Sequence, residues 1–135
     1  MARFAVKRLE EVPRIPTETD DPDWYPIQHY FRFTAFGANV YVAKVDSEEL
    51  LAAHDERSSN QEELYFVTTG EATFTLDDEE IDVPAGSVVA VPDPSVRRAA
   101  SAKTAGTTVI AIGGEARDEF RSSWNPSWFE GAPRV

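Results

Sequence analysis

Glu62-Glu63-Leu64-Tyr65-Phe66-Val67-Thr68-Thr69-Gly70, followed by Val83-Pro84-Ala85-Gly86 and Val91-Pro92-Asp93-Pro94-Ser95-Val96-Arg97, decides the fold. Leu64 to Val67 is apolar on both faces of an extended chain, which predicts a strand covered on both sides. In 71–83, Ala72, Phe74 and Leu76 alternate with Thr73 and Thr75. Asp77-Asp78 then reads as a tight turn, after which Ile81 and Val83 resume the alternation. Pro84-Ala85-Gly86 and Pro92-Asp93-Pro94 punctuate two more strands, 87–91 and 96–102, and 107–112 is the last clear one. Short strands separated by regular turn signals predict an all-β sandwich or barrel.

Working outward, 38–45 and 48–53 read as strands and 54–60 as a polar loop. Residues 1–23 read as an irregular arm: Phe4-Ala5-Val6 allows one short strand, and Pro13, Pro16 and Pro22 then interrupt regular structure. Trp24, Tyr25, Tyr30, Phe31, Phe33 and Phe36 follow, with a helical turn expected near 26–31. Segments this aromatic are expected to pack over the domain or across a partner subunit. Beyond Gly113-Gly114, 115–122 has the pattern of about two helical turns, and the tail carries Trp124, Trp128 and Phe129. No repeat or linker divides the chain. It reads as one domain, with an arm at 1–37, a barrel at 38–113 and a tail at 114–135.

At 135 residues, 41% of them hydrophobic, the chain is long enough for a proper core. It has no cysteine, so disulfides and thiolate metal sites are excluded. Thirteen Lys and Arg stand against 24 Asp and Glu, a net charge of −11. That charge repels phosphate backbones and anionic lipid, so neither nucleic acid nor membrane is an expected partner. No apolar run reaches membrane-spanning length and no secretory leader is visible, which with the missing cysteine leads us to expect a cytoplasmic protein.

Glu63 with Gly70 seven residues on, then Gly86 with Pro92 six residues on, resembles the two motifs of the small cupins. The resemblance covers roughly 38–113. It implies a double-stranded β-helix, or jelly roll, with a pocket between its sheets, commonly in a homodimer. The first-motif histidine positions fall on Glu56 and Ser58, or on Arg57 and Ser59 with shorter spacing. The second-motif histidine position holds Arg97, the glycine after Pro92 is Pro94, and the final asparagine position holds Ser101. Guanidinium has no lone pair for a metal, so no metal and no other cofactor is expected.

Glu63 shares a strand face with Tyr65 and Val67 and is the candidate general base. On the same expectation Arg97 turns inward as the charge partner of Glu63 and as a donor to an anionic ligand, while Arg98 faces solvent. His54 is the second candidate acid or base, with Glu56 beside it. Tyr41, Tyr65 and Phe74 are candidates for lining a ligand pocket. The expected function is metal-independent binding of a small organic molecule. One alternative is a metal-free isomerase, cyclase or lyase with Glu63 or His54 as base. Another is a metal-dependent oxygenase or isomerase with a shifted His54, Glu56, Glu63 site.

Overall fold

The structure is a computed structural model that describes every residue except Met1, Asp20 and Asp118. Nine strands form two antiparallel sheets among the described residues: β1 (Asp23–Tyr25), β2 (Gly37–Val42), β3 (Glu49–His54), β4 (Gln61–Thr69), β5 (Glu71–Leu76), β6 (Glu79–Pro84), β7 (Val88–Val91), β8 (Arg98–Ala102) and β9 (Thr108–Glu115). One sheet runs β1-β2-β9-β4-β7 and the other β3-β8-β5-β6. One α-helical turn, α1 (Ile27–Phe31), precedes β2. The chain is all-β, as the turn signals predict.

Alternation decides which side chains meet between the sheets. Tyr65, Val67, Val89, Val91, Val109 and Ala111 come from the larger sheet, and Leu51, Ala72, Phe74, Val83, Ala100 and Ala102 from the smaller. All are buried, and the rings of Tyr65 and Phe74 meet across the gap with centroids 5.5 Å apart. Phe74 is therefore core and does not line a ligand pocket, contrary to the sequence expectation.

Turns fix the register. Leu76 pairs with Glu79, which makes Asp77-Asp78 a two-residue hairpin with Asp77 at φ 52°. Gly70 joins β4 to β5 at φ 74°, and a Cβ there would stand 2.8 Å from the Cα of Thr107.

Several local expectations fail. Residues 115–122 form no helix among those described; β9 runs through Gly113-Gly114 to Glu115, and a 3-10 turn appears later at Pro126–Phe129. Phe4-Ala5-Val6 is not a strand, whereas Asp23–Tyr25 is, paired with β2 from Val40 to Val42. The outward side chains of β4 are not covered: Leu64 and Phe66 remain over a third exposed. Trp124 and Trp128 are exposed rather than docked.

Candidate functional site

β4 carries Glu63 and Tyr65 on its inward face, and β3 ends at His54 opposite Arg98 on β8. The polar turn after β3 brings Glu56 back beside them, held by the bond from its backbone N–H to the Pro94 carbonyl at 2.9 Å. These elements close one end of a cavity of about 180 Å³. Asn39, Tyr41, His54, Glu56, Gln61, Glu63 and Tyr65 supply its polar lining. No lysine or arginine lines it.

His54 has contacts on both ring nitrogens. Its Nδ1 lies 2.7 Å from the carbonyl oxygen of Ala52, which can only accept, so Nδ1 carries a proton. Nε2 therefore faces the cavity, 3.1 Å from Glu56 Oε1 and 3.9 Å from Glu63 Oε1. Ser59 Oγ donates to the other Glu56 oxygen at 2.6 Å and holds that carboxylate in place. Tyr65 donates its hydroxyl to Glu63 Oε1 at 2.8 Å.

Burial raises the pKa of Glu63, and the neighbouring Glu56 charge adds to this; the Tyr65 hydrogen bond, Arg98 and His54 act in the opposite direction. Burial and then the Glu63 charge raise Tyr41, and the same causes with the Glu63 hydrogen bond hold Tyr65 protonated. Both phenols are therefore hydrogen-bond donors throughout the neutral range.

The inward arginine is Arg98, not Arg97. Arg98 is fully buried with Nε 3.7 Å from Glu63 Oε1 and Nη1 donating to the Val96 carbonyl at 2.9 Å. Arg97 is exposed. Its N–H donates to Asp77 Oδ1 at 2.9 Å and its carbonyl accepts from Asp77 N–H at 2.8 Å. These two bonds clamp Arg97 to the β5–β6 hairpin, so the first inward position on β8 is 98. Arg97 takes no part in the cavity. Arg98 stands behind Glu63 and does not line the cavity, so the anion-holding role expected of Arg97 passes to neither residue.

His54, Glu56, Glu63, Tyr41 and Tyr65 are brought together around one cavity. Asn39, Gln61 and Gly113 are lining residues that it missed. Asn39 Oδ1 accepts from Trp24 Nε1 at 2.8 Å, and Trp24 packs on Tyr41 with ring centroids 6.2 Å apart, so β1 orients this wall. Gly113 pairs with Glu63, and a Cβ there would come within 3.0 Å of Glu63 Cγ. The glycine makes room for the carboxylate, and the Gly113-Gly114 pair was the one available signal.

His54, Glu56 and Glu63 place possible ligand atoms within 4.8 Å of one another, the one such group among the described residues. An imidazole whose other nitrogen binds a carbonyl is how metal-ligating histidines are held. Against this, the Arg98 guanidinium lies behind Glu63, and Glu63 Oε1 already accepts from Tyr65. With Glu63 so engaged, His54 Nε2 and Glu56 remain, fewer than the three protein ligands that hold a catalytic metal. The donor set fits a proton better than a resident metal.

No protein-family model matches the sequence, and no curated protein matches it. Solved structures do share its fold. A sugar phosphate isomerase of the cupin superfamily from Silicibacter pomeroyi matches with TM-score 0.69 at 17% identity, over 83% of this chain and 76% of that one. A cupin 2 conserved barrel domain protein from Salinispora arenicola matches with TM-score 0.63 at 15% identity, over 85% and 92%. A Streptomyces PAC13 variant with uridine matches with TM-score 0.60 at 16% identity, over 87% of each chain. The two sheets, their strand order and these likenesses give one conclusion: the chain has the fold of a small single-domain cupin.

Proposed function

We propose that the cavity binds a small, uncharged, hydroxyl-rich organic molecule and moves a proton on it without a metal, as in an isomerisation or elimination next to a carbonyl. The observation that carries this reading is His54, whose Nδ1 is tied to the Ala52 carbonyl so that Nε2 meets the cavity between two carboxylates. A neutral Nε2 accepts the proton from carbon, Glu56 stabilises the imidazolium that forms, and the same nitrogen returns the proton to the neighbouring carbon or to a departing hydroxyl. Tyr41, kept protonated, is the donor for the oxyanion that develops meanwhile. Glu63 and Glu56 accept hydrogen bonds from ligand hydroxyls. With no cation in the lining, phosphate or carboxylate groups meet only negative charge. The occurrence of uridine, a neutral polyhydroxy ligand, with a protein of this fold supports the same class.

The test is a panel of neutral sugars, keto-sugars and nucleosides, each paired with its phosphorylated form. Samples in D2O with chelator are followed by NMR for binding and for exchange of carbon-bound hydrogen. Binding of neutral members, with exchange abolished in His54→Gln, is the expected result. Preference for the phosphorylated members, or exchange undiminished in His54→Gln, contradicts the proposal.

A second reading, a divalent-ion site on His54, Glu56 and Glu63, is favoured by the closeness of those three donors. It predicts that chelation abolishes exchange and that added Mn2+ or Zn2+ restores it.

A further inference from the structure

Asn39 and Glu63 stand two strands apart in the larger sheet, with β9 between them: Asn39 pairs with Ala111, and Glu63 with Gly113. Two strand spacings put the β2 and β4 backbones roughly 10 Å apart. The floor between them carries only the methyl of Ala111 and the bare Gly113, and both line the cavity. The β4 side and the turn before it offer acceptors, the carboxylates of Glu63 and Glu56. The β2 side differs in kind.

The indole Nε1–H of Trp24 can only donate, so the Asn39 atom that it meets at 2.8 Å is the amide oxygen. That bond engages the oxygen and leaves Nδ2, with its two N–H donors, for the cavity that Asn39 lines. Tyr41 follows two residues on, on the same strand face, and lines the same cavity. Among the described residues no hydrogen bond engages Asn39 Nδ2 or the Tyr41 hydroxyl. Trp24 holds both side chains: it bonds the amide of one and packs on the ring of the other, with centroids 6.2 Å apart.

We infer, resting on the reading of this cavity as the site of a neutral ligand, that Asn39 Nδ2 and the Tyr41 hydroxyl together hold a carbonyl oxygen, so that the cavity takes hydroxy-carbonyl compounds, open-chain ketoses among them, in preference to polyols of the same length. A carbonyl oxygen accepts from both donors and has no proton of its own to place. A hydroxyl there has donors and the Ala111 methyl around it, and its own proton goes unpaired. The ligand's hydroxyls lie toward Glu63 and Glu56. The C–H bond beside the carbonyl then faces His54, which comes from the opposite sheet. When that bond breaks, its proton goes to Nε2 and its electron pair ends on the carbonyl oxygen, where the two donors meet the new charge.

The test compares L-erythrulose, a four-carbon ketose too short to close a stable ring, with erythritol, the polyol of the same carbon and oxygen count. Each is titrated into the full chain in the presence of chelator and followed by NMR. Ketose binding about tenfold tighter than polyol binding is expected, with the Asn39 side-chain amide signals moving as the ketose binds. Equal affinities, tighter binding of the polyol, or binding of neither overturns the assignment. Asn39→Asp keeps an acceptor for Trp24 and removes both donors. It is expected to abolish the preference while the circular dichroism stays that of the wild type, and a retained preference overturns the assignment. Should Asn39→Asp fail to fold, Trp24→Phe, which keeps a ring on Tyr41 but frees the amide to turn over, is read in the same way. His54→Gln separates recognition of the carbonyl from the proton chemistry: it is expected to keep the ketose preference and to lose exchange of carbon-bound hydrogen. Exchange that persists in His54→Gln contradicts the proton chemistry alone, whereas a preference lost in His54→Gln and kept in Asn39→Asp overturns the role of Asn39.

Discussion

Glu63 is an inward carboxyl whose environment pulls in two directions, and its titration reports which side prevails. Burial raises its pKa above the ordinary 4.5 and outweighs the opposing Tyr65 and Arg98. A carboxyl raised on folding stabilises the native state below its unfolded pKa, and that contribution is lost as pH rises through the folded value. Glu63→Gln cannot lose it, so the variant is expected to gain on the wild type between pH 4.5 and neutrality. Urea denaturation of both proteins across that range checks this, and a gap moving the other way means that the Arg98 pair dominates. Arg98 itself is fully buried and has Nε and Nη2 without hydrogen-bond partners. Arg98→Ala is expected to destabilise by about 3–5 kcal/mol, since it strands the carboxylate and empties volume. Arg97→Ala, at an exposed side chain, is expected to stay within about 0.5 kcal/mol of wild type. Equal losses from both substitutions would refute the orientation described for β8. Gly113→Ala should leave the fold intact but push the Glu63 side chain aside, visible as a changed Glu63 carboxyl titration by NMR.

Elements were legible where the sequence punctuates them and illegible where it repeats itself. The β5–β6 hairpin follows from Asp77-Asp78 between two alternating runs, and Gly70 and Gly86 sit at turns with φ of 74° and 89°. β8 and the residue before it read Arg97-Arg98-Ala99-Ala100-Ser101-Ala102, in which like residues come in adjacent pairs and alternation has no phase. The face that turns inward is chosen by the Asp77 clamp and by the pairing of Ala100 with Phe74, both contacts between segments distant in sequence. The same limit hid Asn39 and Gln61, whose place in the cavity depends on neighbouring strands and on the turn before β4. His54, Glu56 and Glu63 could be grouped because the loop between them is short. The helix expected at 115–122 failed because Gly113 and Gly114 read as a strand end, although Gly113 is the partner that Glu63 requires. Gly70→Ala is expected to cost about 1–3 kcal/mol by denaturation, from its positive φ and the approach of Thr107. A loss near zero would mean that the β4–β5 turn rearranges freely.

At the scale of the whole molecule, charge and exposed apolar surface act against each other. With an isoelectric point near 4.5, the repulsion that keeps copies apart at neutral pH vanishes as the medium is acidified. Association between copies, followed by turbidity, should therefore rise as the pH approaches the isoelectric point and reverse on return to neutrality; turbidity independent of pH would show that charge does not control it. No helix among the described residues is long and apolar enough to cross a membrane. What the fold delivers to function is one cavity between the sheets, with a histidine held by a backbone carbonyl and turned toward two carboxylates. The proposed chemistry requires His54 Nε2 to be free of metal. Long-range 1H–15N NMR of the His54 ring, recorded as purified and again after chelator dialysis, tests this most directly. The same spectrum is expected in both states, with the proton on Nδ1. An Nε2 signal that changes on chelation would show a bound metal and contradict the metal-free reading.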